Sequence, residues 1–132
     1  MKTFPLRIGT PDGLLFSGDV VRVVCRTITG DRAILADHID FCTGIGMGEA
    51  RVVLEDGTVR KAACIGGMLT MVDGMCRLLA TTWEWSDEID SERAEKAKQA
   101  AEETLKKEGL SDHEYNVANA KLQRALVRLS VK

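Results

Sequence analysis

Arg124 and Arg128 stand four residues apart near the end of the chain, a spacing that puts two guanidinium forks on one helix face. Such a pair suits phosphate oxygens, which accept parallel N–H bonds two at a time. In an antiparallel helical hairpin, the end of the second helix lies beside the start of the first. That arrangement brings Arg93 and a positive helix N-terminus toward the same place, a reasonable anion site. The same arginines can equally pair with Glu88, Glu92 or Glu95, or with acidic residues of a partner. Asp90 reads equally well as the N-cap of the first helix.

Other reactive side chains lack a chemical setting. His38 and His113 are the only histidines, far apart in sequence, and His113 falls inside a helix-start signal. No nucleophile elbow, phosphate-cradling glycine loop or H-E-x-x-H pattern is present. Gly44-x-Gly46-x-Gly48 lacks a third glycine at dinucleotide spacing and a following helix, so it reads as a bulge or close backbone approach. Cys25, Cys42, Cys64 and Cys76 include no CxxC pair, and most lie in or beside apolar runs, as reduced core thiols do. Trp83 and Trp85 share one face of a strand and read as core or interface. An enzyme on this frame would need a convergent polar site that the spacing does not supply.

Composition narrows the function further. The 132 residues carry a net charge of −2 and 5% aromatics, which argues against a basic, base-stacking nucleic-acid binder. The first residues, Met1 to Arg7, lack the apolar h-region of a signal peptide. No apolar run approaches the roughly 18 residues of a membrane span, so a membrane is expected to be reached only through a complex.

Glycine and proline divide the chain in two. Of 12 glycines only Gly109 follows Gly74, and both prolines lie at Pro5 and Pro11. Charge does not mark the division, because residues 1–85 and 86–132 each carry 9 basic and 10 acidic residues. In residues 1–85, β-prone runs such as Val20 to Ile28 and Met68 to Val72 alternate with turn signals at Pro11-Asp12-Gly13, Gly30-Asp31, Glu55-Asp56-Gly57, Gly66-Gly67 and Asp73-Gly74. This spacing predicts an antiparallel β-sandwich with no crossover helices. Residues 86–132 change period. A helix is expected from the Asp90 cap to about Glu108, with Ala94, Ala97, Ala101 and Leu105 on one face and Gly109 as its stop. Ser111-Asp112-His113-Glu114 is a capping box that restarts the helix, with Tyr115, Ala118, Leu122, Ala125 or Leu126, and Leu129 as its stripe. So short a link makes the two helices antiparallel neighbours.

A β-sandwich followed by an alanine-lined hairpin is similar to the epsilon subunits of bacterial F-type ATP synthases, and motifs along nearly the whole chain carry the resemblance. They are Thr10-Pro11-Asp12-Gly13 with Phe16, Gly18, Val20 and Val23; Thr27-x-x-Gly30-Asp31 with Ile34, Leu35 and His38; Asp56-Gly57; and Gly66-Gly67. Ile89-Asp90-Ser91-Glu92-Arg93-Ala94 and Arg124-Ala125-Leu126-Val127-Arg128-Leu129 then resemble the motifs that open and close the family's hairpin. The chain departs from the family at Ala33, Ala36-Asp37 and Asp40-Phe41, where glycine, Pro-Gly and Pro-Leu are usual, on a loop that in the family lies near the rotor ring. Thr81-Thr82-Trp83-Glu84-Trp85 also replaces a more usual alanine- and glutamate-rich strand.

The resemblance implies a non-catalytic central-stalk subunit at the cytoplasmic face of the cell membrane. Its partners would be the gamma subunit, the ring of c subunits and the catalytic alpha and beta subunits. No cofactor is implied. A mobile hairpin would inhibit ATP hydrolysis, and ATP would be a regulatory ligand at the positions matching the family's nucleotide site: Glu84, Ile89, Asp90, Arg93, Arg124 and Arg128. The rival class is a free-standing nucleotide-sensing domain.

Overall fold

In the computed structural model, which describes residues 2–132, the chain divides into two compact units, Met1–Trp85 and Ser86–Lys132. The first holds seven strands among the described residues: β1 (Phe4–Thr10), β2 (Gly13–Thr27), β3 (Gly30–Leu35), β4 (Phe41–Gly44), β5 (Met47–Leu54), β6 (Val59–Val72) and β7 (Met75–Trp85). Their hydrogen-bonded order is β1-β7-β6-β5-β2-β3, and β1 also pairs with β2, so the strand path closes on itself as a sandwich; β4 pairs with β6. The pairings are antiparallel except β1 with β7, which runs parallel from Leu6↔Cys76 to Gly9↔Leu79. These two strands are the first and last of the unit in sequence, so no tight turn dictates their direction.

Alternation builds the core. In β1, Phe4, Leu6 and Ile8 point inward; in β7, Cys76, Leu78, Ala80, Trp83 and Trp85 do so. Together with Val20, Val23, Ile34, Val52, Leu69 and Met71 they form one apolar cluster. The expected tryptophan pair is inside, with ring centroids 5.2 Å apart at 83°, and the Arg60 guanidinium lies 3.7 Å above the Trp85 ring. Cys25, Cys64 and Cys76 are buried free thiols, and loss of solvation pushes them up to about 11, 12 and 12. They stay protonated at neutral pH and behave as small hydrophobes. Cys42 is the exposed one.

The hairpin signal at Glu55-Asp56-Gly57 forms as expected, with Val53 opposite Val59. Gly66-Gly67 does not form a turn. It lies inside β6, which pairs with β5 up to Ile65 and with β4 from Met68 onward. At φ +69° and +123° these glycines bend one strand from one partner to the next. A side chain at Gly67 would put its Cβ inside the van der Waals radius of the Leu79 carbonyl oxygen and 2.8 Å from Ala80 Cα. Gly67 O in turn accepts from Ile45 N–H at 2.9 Å, and Gly66 N–H donates to Gly46 O at 3.0 Å. The Gly46–Gly48 segment is the close approach its composition suggested, since a Cβ at Gly48 would lie 2.9 Å from Arg26 Cβ.

In the loop after β3 a non-glycine residue takes up left-handed backbone. Asp37 adopts φ +65°, and its carboxylate pairs with Lys2 Nζ at 2.6 Å. Asp40 Oδ1 accepts from Asp73 N–H at 3.0 Å, tying this loop to the β6–β7 turn.

The second unit is a 3-10 turn (Ser86–Glu88) followed by α1 (Ser91–Leu105) and α2 (Asp112–Val131), which pack on each other as a hairpin. The Ser111 capping box is complete: Ser111 Oγ accepts from Glu114 N–H at 3.1 Å, and Glu114 Oε1 accepts from Ser111 N–H at 3.4 Å. The first helix stops earlier than expected, at Leu105 rather than near Glu108. Lys106 and Lys107 N–H bond back to Glu103 and Thr104 carbonyls, tightening the last turn. Residues 106–110 are then left to reverse the chain, with Gly109 at φ +75°. Among the described residues no helix is long and apolar enough to cross a membrane.

The Gly67 contact predicts that Gly67→Ala costs about 3 kcal/mol or more, because neither the φ nor the facing backbone can yield cheaply. Urea unfolding of the full chain checks this. A loss within a few tenths of a kcal/mol would contradict the account of the bend.

Candidate functional site

The start of α1 is fixed by Asp90. Its backbone is extended (φ −84°, ψ 100°) and its Oδ1 accepts from Arg93 N–H at 3.1 Å. Ala94 N–H then donates to Asp90 O at 3.0 Å, closing the first helical turn. Asp90 is therefore the N-cap, one of the two roles its sequence position allows. Ile89, just before it, is buried, while the Arg93 side chain is exposed.

The seam between α1 and α2 is made of small residues. Ala94 and Ala101 are buried on α1, and Ala118 and Ala125 on α2, each pair two turns apart on one face. Ala125, not Leu126, takes the inward position, and Tyr115 and Leu126 are exposed. Ala97 is also exposed, contrary to its place in the expected stripe. Two helices meeting through alanines come close, and the contact is then too narrow to cover flanking positions.

What lies beside the seam is a groove of about 660 Å³ that belongs wholly to the hairpin. Ala97, Ala100 and Ala101 form its α1 side, and Val117, Ala118 and Lys121 its α2 side. Arg124 and Arg128 line it toward the C-terminal end of α2, and His113 and Glu114 toward the N-terminal end of that helix. The arrangement offers an apolar floor with cationic groups converging at one end, which suits a ligand that is flat and apolar in one part and anionic in another.

The expected site residues are thus distributed as follows. Arg124 and Arg128 share this groove; Asp90 and Arg93 are joined by the cap; neither Asp90, Arg93 nor Ile89 lines the groove. Glu84 is on β7, paired opposite Ala63, and belongs to the first unit. The alanine-lined groove and Lys121 were not singled out from sequence. The signal that could have found them is Ala100 and Lys121 beside the stripe, one helical position off the seam. Among the described residues no group of three His, Cys, Asp or Glu side chains could hold a metal ion.

Comparison with known proteins agrees with this division. Residues 3–86 match the family model described as ATP synthase, Delta/Epsilon chain, beta-sandwich domain, and residues 87–132 match its long alpha-helix domain. The ATP synthase epsilon chain of Caldanaerobacter subterraneus is 38% identical over 130 residues, covering 98% of this chain and 94% of that one. That of Ruminococcus albus is also 38% identical, covering 99% and 97%. In fold, the chain is similar to one in the mitochondrial ATP synthase OSCP/F1/c-ring structure of Euglena gracilis, with a TM-score of 0.81, 21% identity, and coverage of 92% and 76%. With both of its units matched in order and relatives this similar over nearly their whole length, the chain belongs to the ATP synthase epsilon-chain family.

Proposed function

We propose that this chain is a non-catalytic subunit of the central stalk of an F-type ATP synthase at the cytoplasmic face of the membrane. Its sandwich joins the gamma subunit to the ring of c subunits. Its hairpin, reaching toward the catalytic alpha and beta subunits, restrains ATP hydrolysis. The observation that carries this reading is the ordered match of a rigid sandwich and an alanine-seamed hairpin to the epsilon chains.

The two units suit different mechanical tasks. The sandwich core interlocks large side chains across a closed strand path, so it can transmit load without rearranging. The four buried alanines of the hairpin seam are worth about 3 kcal/mol at roughly 0.8 kcal/mol per buried carbon, and Val131 is the one larger side chain buried on either helix. A contact that weak can be made and unmade by a partner or a ligand, which is what a two-state regulatory element needs.

ATP is the proposed regulatory ligand, with Arg124 and Arg128 of the groove on its phosphates; Arg93, Asp90 and Ile89, which lie outside the groove at the start of α1, are the further proposed contacts. The five hairpin residues carry this reading; Glu84 belongs to the other compact unit. Such a nucleotide is a signal for the hairpin and not a substrate.

Two measurements test these statements. A tagged copy purified gently from its own host is expected to bring gamma and the catalytic subunits with it. Recovery of the chain alone would favour a free-standing nucleotide sensor. Titrating ATP onto the full chain is expected to give saturable binding, weakened about tenfold or more by Arg124→Ala. Absence of saturation at millimolar ATP would remove the nucleotide from the proposal.

A further inference from the structure

Three cations follow one another along α2 where that helix borders the groove. Lys121, Arg124 and Arg128 all line it. Their spacings of three and then four residues put them on one helix face. At the rise of an α-helix the row is about 10 Å long. Lys121 and Arg124 are exposed, and Arg128 is half-buried.

The row is unfavourable for the helix that carries it, because like charges at these spacings repel. The negative end of the helix dipole draws cations only within the last turn, which holds Arg128 but neither Arg124 nor Lys121. Among the described residues Lys121 and Arg124 enter no ion pair. Glu114 is the one carboxylate among the described residues lining the groove, and it stands about 15 Å along α2 from Arg124. One of its oxygens accepts from Ser111 N–H in the capping box. Two of the three cations are therefore left with nothing in the groove to neutralise them.

The floor beside the row gives a ligand little else to bond. Ala97, Ala100, Ala101, Val117 and Ala118 present only carbon from their side chains. Thr104 Oγ1 donates to Ala100 O at 3.0 Å, so its proton is committed within α1. Recognition along this stretch falls to charge. The two guanidinium groups offer forked donors to phosphate oxygens, and the Lys121 ammonium adds a compact point charge one turn further in.

We infer that Lys121, Arg124 and Arg128 form a track for a linear triphosphate, with Lys121 as a phosphate-binding residue and the phosphate chain, not the base, as what the track recognises. Three charges in a line answer three phosphates, whereas a diphosphate leaves at least one cation unanswered. The anion is supplied equally by a nucleoside triphosphate or by inorganic tripolyphosphate, because the alanine and valine floor has no side-chain polar group to read a base edge. The inference rests on the reading of this groove as the ATP site. It adds a third cation to that site and widens its ligand class to condensed triphosphates.

Calorimetric titration of the full chain with ATP and with inorganic tripolyphosphate, both without magnesium, tests this. Both are expected to saturate, and tripolyphosphate to displace ATP. ADP should bind the parent about tenfold more weakly than ATP. Lys121→Gln is expected to weaken ATP and tripolyphosphate about tenfold at low salt and much less at high salt, while Lys121→Arg stays within a few-fold of the parent. Lys121 is exposed, so thermal unfolding of both variants should stay close to that of the parent. Parent-like ATP affinity in Lys121→Gln would overturn the track while leaving the nucleotide reading intact. So would bound ATP that tripolyphosphate does not displace. Failure of the parent chain to bind either ligand would remove the nucleotide reading, and this inference with it.

Discussion

The sandwich depends on a single backbone contact, the approach of Gly67 in β6 to the carbonyl of Leu79 in β7. Because Gly67 has no side chain, β6 can bend there and change partners from β5 to β4 without breaking its ladder to β7. One strand thereby serves both parts of the closed path, and its inward residues Ala62, Cys64, Leu69 and Met71 enter one core. The same approach fixes which way Leu79 faces. With Leu78 and Ala80 buried on either side, Leu79 must stand on the outer face, over Gly9. Core closure and the exposure of Leu79 therefore follow from one constraint.

The hairpin is built on the opposite economy. Its helices are started by local signals, the Asp90 cap and the Ser111 capping box, and need no large core to exist. Their mutual contact buries alanines and leaves Tyr115, Val117 and Leu126 exposed. A chain that joins a heavily interlocked sandwich to a lightly seamed hairpin separates two demands that conflict in one core. Torque needs a body that does not rearrange, and regulation needs one that does.

Much of this was legible in sequence where the determinant is local. The Glu55-Asp56-Gly57 turn, the Asp90 cap and the Ser111 box each act within a few residues, and each forms as expected. Gly66-Gly67 was read as a turn because a glycine pair announces positive φ but not whether the chain reverses or merely bends. That choice is made by Leu79, far along the chain. The helix end at Leu105 was missed for a related reason: Gly109 marks the reversal, yet the antiparallel return also consumes residues 106–108. The parallel β1–β7 pair is a long-range choice that no turn signals. At the candidate site, the i, i+4 spacing of Arg124 and Arg128 placed both on one groove, whereas the groove itself arises from two helices meeting closely at alanines, a tertiary effect.

The central claim is that the sandwich couples and the hairpin restrains. The most direct measurement is ATP hydrolysis by the reconstituted catalytic subunits and gamma, with the full chain and with a chain lacking residues 86–132. The account predicts that hydrolysis is lower with the full chain and rises severalfold on removing the hairpin, while the shortened chain still binds gamma. Equal hydrolysis with both chains would contradict it.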